Sequence, residues 1–262
     1  MQDCRRAVNE GMDEKRPIAR LPRAPPRPII HPMFDALLPT KLFLPPVRPN
    51  WVARPRLLDR LAAPGAIKLI LVSAPAGNGK TTLVTAWLRQ LQADDAARVC
   101  WLAVDADDSD ARHLFRYLAA AVAPRPGVAD ALPRLLQSDQ PLLAKTLTQA
   151  FVHDVALVTA PFVLVLDDYH ALDSAAVDEA LALLLEWMPP QMTLVLTSRS
   201  DPGFPIARLR ARGQLIELRA DDLRFTPAEA AQFLEQTMGL ALQPEQVAAL
   251  EERTEGWIAG LQ

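Results

Sequence analysis

The stretch that most constrains this chain is "IKLILVSAPAGNGKTTLVTAWLRQL", residues 67–91. It opens with a nearly all-apolar run, which is the composition of a strand buried on both faces of a sheet. It closes with apolar residues at helical spacing. Between them lies "APAGNGKTT", close to the phosphate-loop pattern G-x-x-x-x-G-K-[ST], except that Ala74 stands where the leading glycine belongs. A strand, a glycine-rich turn and a helix in that order place backbone N–H groups and the positive helix end around one point, which is how an anion is cradled. Gly77 and Gly79 supply the unusual backbone angles. Lys80 is expected to reach the β- and γ-phosphates, and Thr81 to ligate Mg²⁺. The first position has mainly to be small and to turn easily, and Ala74 followed by Pro75 meets that need. The bland alternative is a tight turn with a solvent-exposed lysine, and the flanking strand and helix argue against it.

The same alternation continues along the chain. "RVCWLAV" (98–104), "FVLVLDDYH" (162–170), "MTLVLTSR" (192–199) and "LIELRA" (215–220) read as further strands. Helical patterns fall between them at 80–91, 111–122, 141–158 and 174–188, and residues 124–140 carry no clear pattern. Strands alternating with helices predict an α/β fold with a five-stranded parallel sheet covered on both sides. After Asp222 the strands stop. "TPAEAAQFLEQTM" (226–238), with Thr226 as N-cap and Pro227 at the first helical position, and "QPEQVAALEERT" (243–254) open a helical appendage.

Half of the 24 prolines lie before residue 65, a density that prevents packed helix or central strand. Residues 1–38 are therefore expected to form a disordered, proline-rich tail that can be removed without loss of nucleotide affinity. Residues 39–222 are assigned to the NTPase domain and 223–262 to the start of a helical lid. With a net charge of -3 and two distant cysteines, the chain offers no electrostatic case for DNA binding, no disulfide framework and no zinc spacing. No apolar run reaches membrane-span length and no secretory leader is legible, so a cytoplasmic protein is expected.

Two further strand ends carry candidate chemistry. In "FVLVLDDYH", Asp167 and Asp168 stand at the carboxyl end of a strand, where ligands sit in open parallel sheets. Asp167 is read as the residue that holds Mg²⁺, Asp168 as the acid that orients or activates water. In "LVLTSRSDP", Thr197, Ser198 and Arg199 end the next strand on the same edge, and Arg199 can touch a γ-phosphate. His113, His153 and His170 are scattered and read as structural. "DADDSD" (105–110) reads as a solvated turn capping the next helix, and the tryptophans as core.

The blocks "TKLFLPPVRPNWVARPRLLDRL" (40–61), "SAPAGNGKTTLVTAW" (73–87), "VLVLDDYHAL" (163–172), "TSRSDPGFPIARLRARGQLIELRADDLRFTPAEAAQFL" (197–234) and "LEERTEGWIAGLQ" (250–262) together resemble the MalT-type large ATP-binding regulators of the LuxR family, which are STAND-class P-loop NTPases. The resemblance covers about residues 40–262. It implies a sheet of order 5-1-4-3-2 and a partial helical lid. It implies ATP or ADP bound with Mg²⁺ by Ala74, Pro75, Ala76, Gly77, Asn78, Gly79, Lys80, Thr81 and Thr82, with Thr81 and Asp167 on the metal. Asp168 and Arg199 carry over as catalytic residues. "WVARPRLL" resembles the segment that lies against adenine, pointing to Val52 and Arg54. The family implies ATP-dependent self-association, a helical-repeat sensor and a DNA-binding helix-turn-helix, and this sequence supplies neither of the last two. The reading is an ATP-binding switch module that hydrolyses ATP slowly at most. The rivals are a dedicated ATPase or phosphotransferase, and a non-catalytic interaction fragment.

Overall fold

The computed structural model describes residues 37–254, apart from 48–49, 64–65, 95–97, 139 and 241. Five strands form the sheet: β1 (Leu69–Ser73), β2 (Val99–Ala103), β3 (Phe162–Asp167), β4 (Met192–Ser198) and β5 (Leu215–Leu218). Their order is β2-β3-β4-β1-β5, and every pairing is parallel. Read from the other edge this is 5-1-4-3-2, as the sequence resemblance implied. Ten helices are assigned among the described residues: α1 (Pro55–Leu61), α2 (Lys80–Asp94), α3 (Ala111–Val122), α4 (Ala131–Leu136), α5 (Ala144–Ala156), α6 (Ala175–Trp187), α7 (Ala207–Ala211), α8 (Ala220–Leu223), α9 (Pro227–Met238) and α10 (Pro244–Thr254).

The two-residue period of the strands sorts the core into two layers. Leu69, Leu71, Leu164, Leu166, Leu194 and Leu196 face one side, where they pack with Leu118 of α3, Phe151 of α5 and Leu181 of α6. Ile70, Val72, Val163, Val165 and Val195 face the other side, against Leu57 of α1 and Val84 and Trp87 of α2. β1, β3 and β4 have almost no solvent-facing position. That explains why they read as continuous apolar runs. A third, smaller cluster joins Val52 to Phe225, Phe233, Leu234 and Val247 of the helical appendage.

Several boundaries differ from the sequence reading. β3 ends at Asp167 rather than at residue 170, because Asp168 turns into left-handed backbone (φ 61°, ψ 38°) and a 3-10 turn follows at Tyr169–Ala171. α5 starts at Ala144, since Leu143 before it is extended (ψ 146°). The unpatterned segment 124–140 contains α4, whose first two amides are capped by the buried Asp154 carboxylate at 2.8 Å each. In the appendage, Thr226 and Glu229 form the reciprocal cap on α9, with Pro227 at its first position.

The acidic stretch 105–110 is more than a solvated turn. Asp110 does cap α3 through the His113 amide. Asp108, however, is wholly buried, and Lys41 Nζ lies 2.8 Å from its Oδ2 and 2.7 Å from Asp105. Lys41 also sits 4.9 Å from the centre of the Tyr117 ring, whose hydroxyl accepts a hydrogen bond from the Leu38 amide at 3.0 Å. Leu37 is buried in the larger core cluster. Leu37 and Leu38, placed in the tail on sequence, thus belong to the folded part. The remainder of the tail, 1–36, lies outside the described residues.

A buried carboxylate that loses its ammonium partner is left without its main counter-charge. Lys41→Met is therefore expected to destabilise the protein by about 3 kcal/mol, read as a lowered urea midpoint at unchanged slope. A chain beginning at Leu37 should match the parent in the same titration.

Candidate phosphate and metal site

The site forms at the carboxyl end of the sheet, where β1, β3 and β4 lie side by side. β1 leads into the loop 74–79, and α2 begins at Lys80. Gly77 and Gly79 have φ of 79° and 74°, so both glycines are required by the turn. Ala74 does not share this need. Among the described residues Asp168 is the one non-glycine with positive φ, so Ala74 has an ordinary backbone and a buried methyl in the core layer beneath α2. The missing glycine costs the loop nothing. Asn78 is buried and braces the turn from within, its amide donating to Pro75 O at 3.2 Å. The Ala74 amide bonds Ser198 O at 3.1 Å and ties the loop to the end of β4.

Lys80 is buried, and its ammonium donates to the carbonyls of Ala74 (2.8 Å) and Pro75 (3.0 Å). Burial holds its pKa below the ordinary lysine value, an effect that the nearby Asp168 opposes and Arg199 reinforces. An ammonium folded onto neutral carbonyls of its own loop is under-compensated, and an anion beside it would supply the missing charge.

Asp167 is the centre of the polar cluster. It is 5 % exposed, and burial raises its pKa above the ordinary aspartate value, with Asp168 adding to the rise and the hydroxyls of Thr197 and Thr81 opposing it. Thr81 Oγ1 lies 3.0 and 3.2 Å from its two oxygens, and Thr197 Oγ1 donates to Oδ1 at 2.5 Å. Its hydrogen-bond donors among the described residues are thus two hydroxyls and no ammonium or guanidinium. A hydroxyl and a carboxylate brought together beside an anion loop are a hard-oxygen donor set, which suits Mg²⁺.

Asp168 follows at the rim, its side chain half exposed and 3.8 Å from His170 Nδ1. His170 is held below its ordinary pKa, chiefly by burial. Arg199, also exposed, lies at the end of β4, near enough to Lys80 and His170 to influence both. Pro75, Ala76 and Thr82 are exposed on the loop and first turn of α2.

Val52 and Arg54 lie between the segment preceding α1 and the appendage. Val52 belongs to the appendage cluster. Arg54 is 4 % exposed, donates to the carbonyls of Leu223 (2.8 Å) and Arg224 (2.7 Å), pairs with Glu229 at 3.3 Å and covers the Phe225 ring. Burial depresses its pKa to about 10, against the pull of Glu229. Arg56 adds a two-bond fork to Glu229. The sequence reading missed these arginine–carbonyl contacts, because nothing local in "VARPRLLDR" marks partners so far along the chain.

The geometry yields a direct test. Lys80→Ala should abolish ATP binding in a calorimetric titration with Mg²⁺, with an unchanged circular dichroism spectrum. Its ammonium bonds only loop carbonyls that water can reach once the side chain is gone. Asp167→Asn should keep Mg²⁺-free nucleotide binding and lose the gain that Mg²⁺ provides.

The chain is similar to several known proteins. The AAA ATPase domain family matches residues 55–196, which is more than half of the 262-residue chain. The chain is 34% identical over 230 residues to the HTH-type transcriptional regulator MalT of Yersinia pestis, covering 86% of this chain and 25% of the relative. It is 33% identical over 228 residues to MalT of Cronobacter sakazakii, with the same coverage. It spans about a quarter of the length of these curated relatives. Among solved structures, Cdc6p of Pyrobaculum aerophilum aligns over 76% of this chain and 53% of its own, at 15% identity and a TM-score of 0.46. The Aeropyrum pernix ORC1 protein in complex with DNA aligns over 79% and 56%, at 19% identity and a TM-score of 0.47. With the strand order, the phosphate loop and the paired acids already in place, the chain belongs to the AAA ATPase domain family, as a MalT-like ATPase portion.

Proposed function

We propose that this chain is the ATP-binding switch module of a MalT-type transcriptional regulator, and that it hydrolyses ATP slowly. The observation that carries the reading is the convergence at one point of the sheet edge of Lys80 and Thr81, from the start of α2, and Asp167, from the end of β3. Lys80 would take the β- and γ-phosphates, and the amides of residues 76–80 the β-phosphate. Thr81 and Asp167 would hold Mg²⁺, which when bound neutralises phosphate charge. Asp168 is the candidate to orient the attacking water, and Arg199 to contact the γ-phosphate. Val52 and Arg54 sit where the core meets the appendage, so a nucleotide base near them would touch both bodies. That supports a switch in which ATP and ADP stabilise different packings of lid on core, through unequal contacts with each state.

Slow turnover follows from the second acid. Asp168 is one methylene shorter than glutamate and is half exposed at the rim, so water is held with less order than in a closed site. A dedicated phosphotransferase needs a second substrate site beside the phosphate loop, and no candidate for it is found among the described residues. The relatives are HTH-type transcriptional regulators of which this chain spans about a quarter, so any regulatory output is part of the proposed reading.

Asp168→Asn is expected to bind Mg·ATP as the parent does while lowering single-turnover hydrolysis by about two orders of magnitude. A parent protein that turns over many times per second, or a variant that hydrolyses at the parental rate, would contradict the assignment.

A further inference from the structure

The two acids at the end of β3 do not hold themselves in place. Asp167 is the last residue of the strand, and its carbonyl is taken by the Val104 amide at 3.0 Å. Asp168 then departs from the strand. Its φ of 61° and ψ of 38° lie in the left-handed region, which aspartate enters more readily than most residues but still at a cost. In continued β geometry its side chain would turn onto the face that Leu166 shares with α6. The left-handed turn keeps it at the rim instead, 3.8 Å from His170.

Thr197 meets both acids with one atom. The residue is wholly buried on β4. Its Oγ1 is 2.5 Å from Asp167 Oδ1 and 2.9 Å from the Asp168 amide nitrogen. A carboxylate can only accept, so the hydroxyl proton points to Asp167 and an oxygen lone pair receives the Asp168 N–H. A hydroxyl is the smallest group that does both. The other side of the turn is pinned as well. Tyr169, next in the chain, is buried, hydrogen-bonds Asp178 and packs edge-on against Phe204 at 6.2 Å. Gly203 lets that loop approach, since a Cβ there would come within 2.0 Å of Asp178.

We propose that Thr197 is a positioning residue for both acids: its hydroxyl aims the Asp167 carboxylate at the metal position beside Thr81 and, through the Asp168 amide, holds the left-handed turn that keeps the second acid at the site's rim. The proposal rests on the reading of the site as an Mg·ATP site. It separates Thr197 from a phosphate-sensing role, because its one hydroxyl proton is already given to Asp167.

The test is a pair of variants, Thr197→Val and Thr197→Ser, in the full chain. Each is measured for ADP binding without Mg²⁺, for the Mg²⁺ concentration that half-saturates ATP binding, for single-turnover hydrolysis, and for thermal unfolding. Valine keeps the shape and loses both bonds; serine keeps both bonds. The expected result for Thr197→Val is unchanged Mg²⁺-free ADP affinity, a raised Mg²⁺ requirement, and hydrolysis slower by about tenfold or more. Thr197→Ser should restore most of the Mg²⁺ affinity and of the turnover. If Thr197→Val matches a hydrolysing parent in Mg²⁺ requirement and turnover, the proposal is overturned and the site reading stands. If both variants lose ADP binding and thermal stability together, Thr197 is a packing residue and the proposal is again overturned. A parent that binds no Mg·ATP removes the site reading, and the proposal with it.

Discussion

A carboxylate buried where three chain segments meet sets the terms for everything at the sheet edge. Asp167 carries a charge into a place that burial makes hostile to charge. The fold answers with hydroxyls rather than cations, one from α2 and one from β4. Hydroxyls stabilise the charge only in part, as the metal role proposed for this carboxylate requires. A lysine or arginine in their place would have stabilised the fold and closed the site. The parallel sheet matters here because it brings the carboxyl ends of β1, β3 and β4 to one edge. Loop, acid and threonine therefore meet without a long excursion of the chain.

Much of this was legible in the sequence for definite reasons. Strands with both faces covered must be apolar throughout, and "LILVS", "FVLVL" and "LVLT" say so directly. The phosphate loop was legible despite Ala74, since the glycines that need positive φ, Gly77 and Gly79, are both present. The cap on α9 was legible because Thr226, Pro227 and Glu229 act within one helical turn. What escaped the reading is long-range. Lys41 is a lone lysine near a proline-rich stretch, and only the tertiary fold brings Asp108 to it. Thr197 was seen as the end of a strand, but its tie to the acids crosses from β4 to β3. The left-handed turn at Asp168 is set by that contact and by Tyr169, and no local signal announces it.

The segment from Leu37 to Leu61 acts as a strap. Its first residues are fixed to β2 and α3 through Leu37, Leu38 and Lys41. Its middle is touched by Arg89 of α2, which donates to the carbonyls of Leu44 and Pro45 at 3.2 Å each. Its end grips the appendage through Val52, Arg54 and Arg56. One stretch of chain therefore links the β2 edge of the sheet, α2 and the helical appendage. Any movement of the appendage relative to the core would have to be accommodated by these arginine contacts. They are bonds to backbone carbonyls and one glutamate, and so are set by the path of residues 222–229 rather than by a particular set of side chains.

Arg54 and the carbonyl it caps at Leu223 are separated by 169 positions. During synthesis at ordinary rates, that interval lasts roughly ten to thirty seconds. Throughout it the guanidinium has no acceptor of its own and stays in water, because burying it unpaired would be too costly. All five strands and the phosphate loop leave the ribosome inside that interval. The order of translation thus allows the sheet and its phosphate loop to form before Arg54 can meet its acceptors in the appendage.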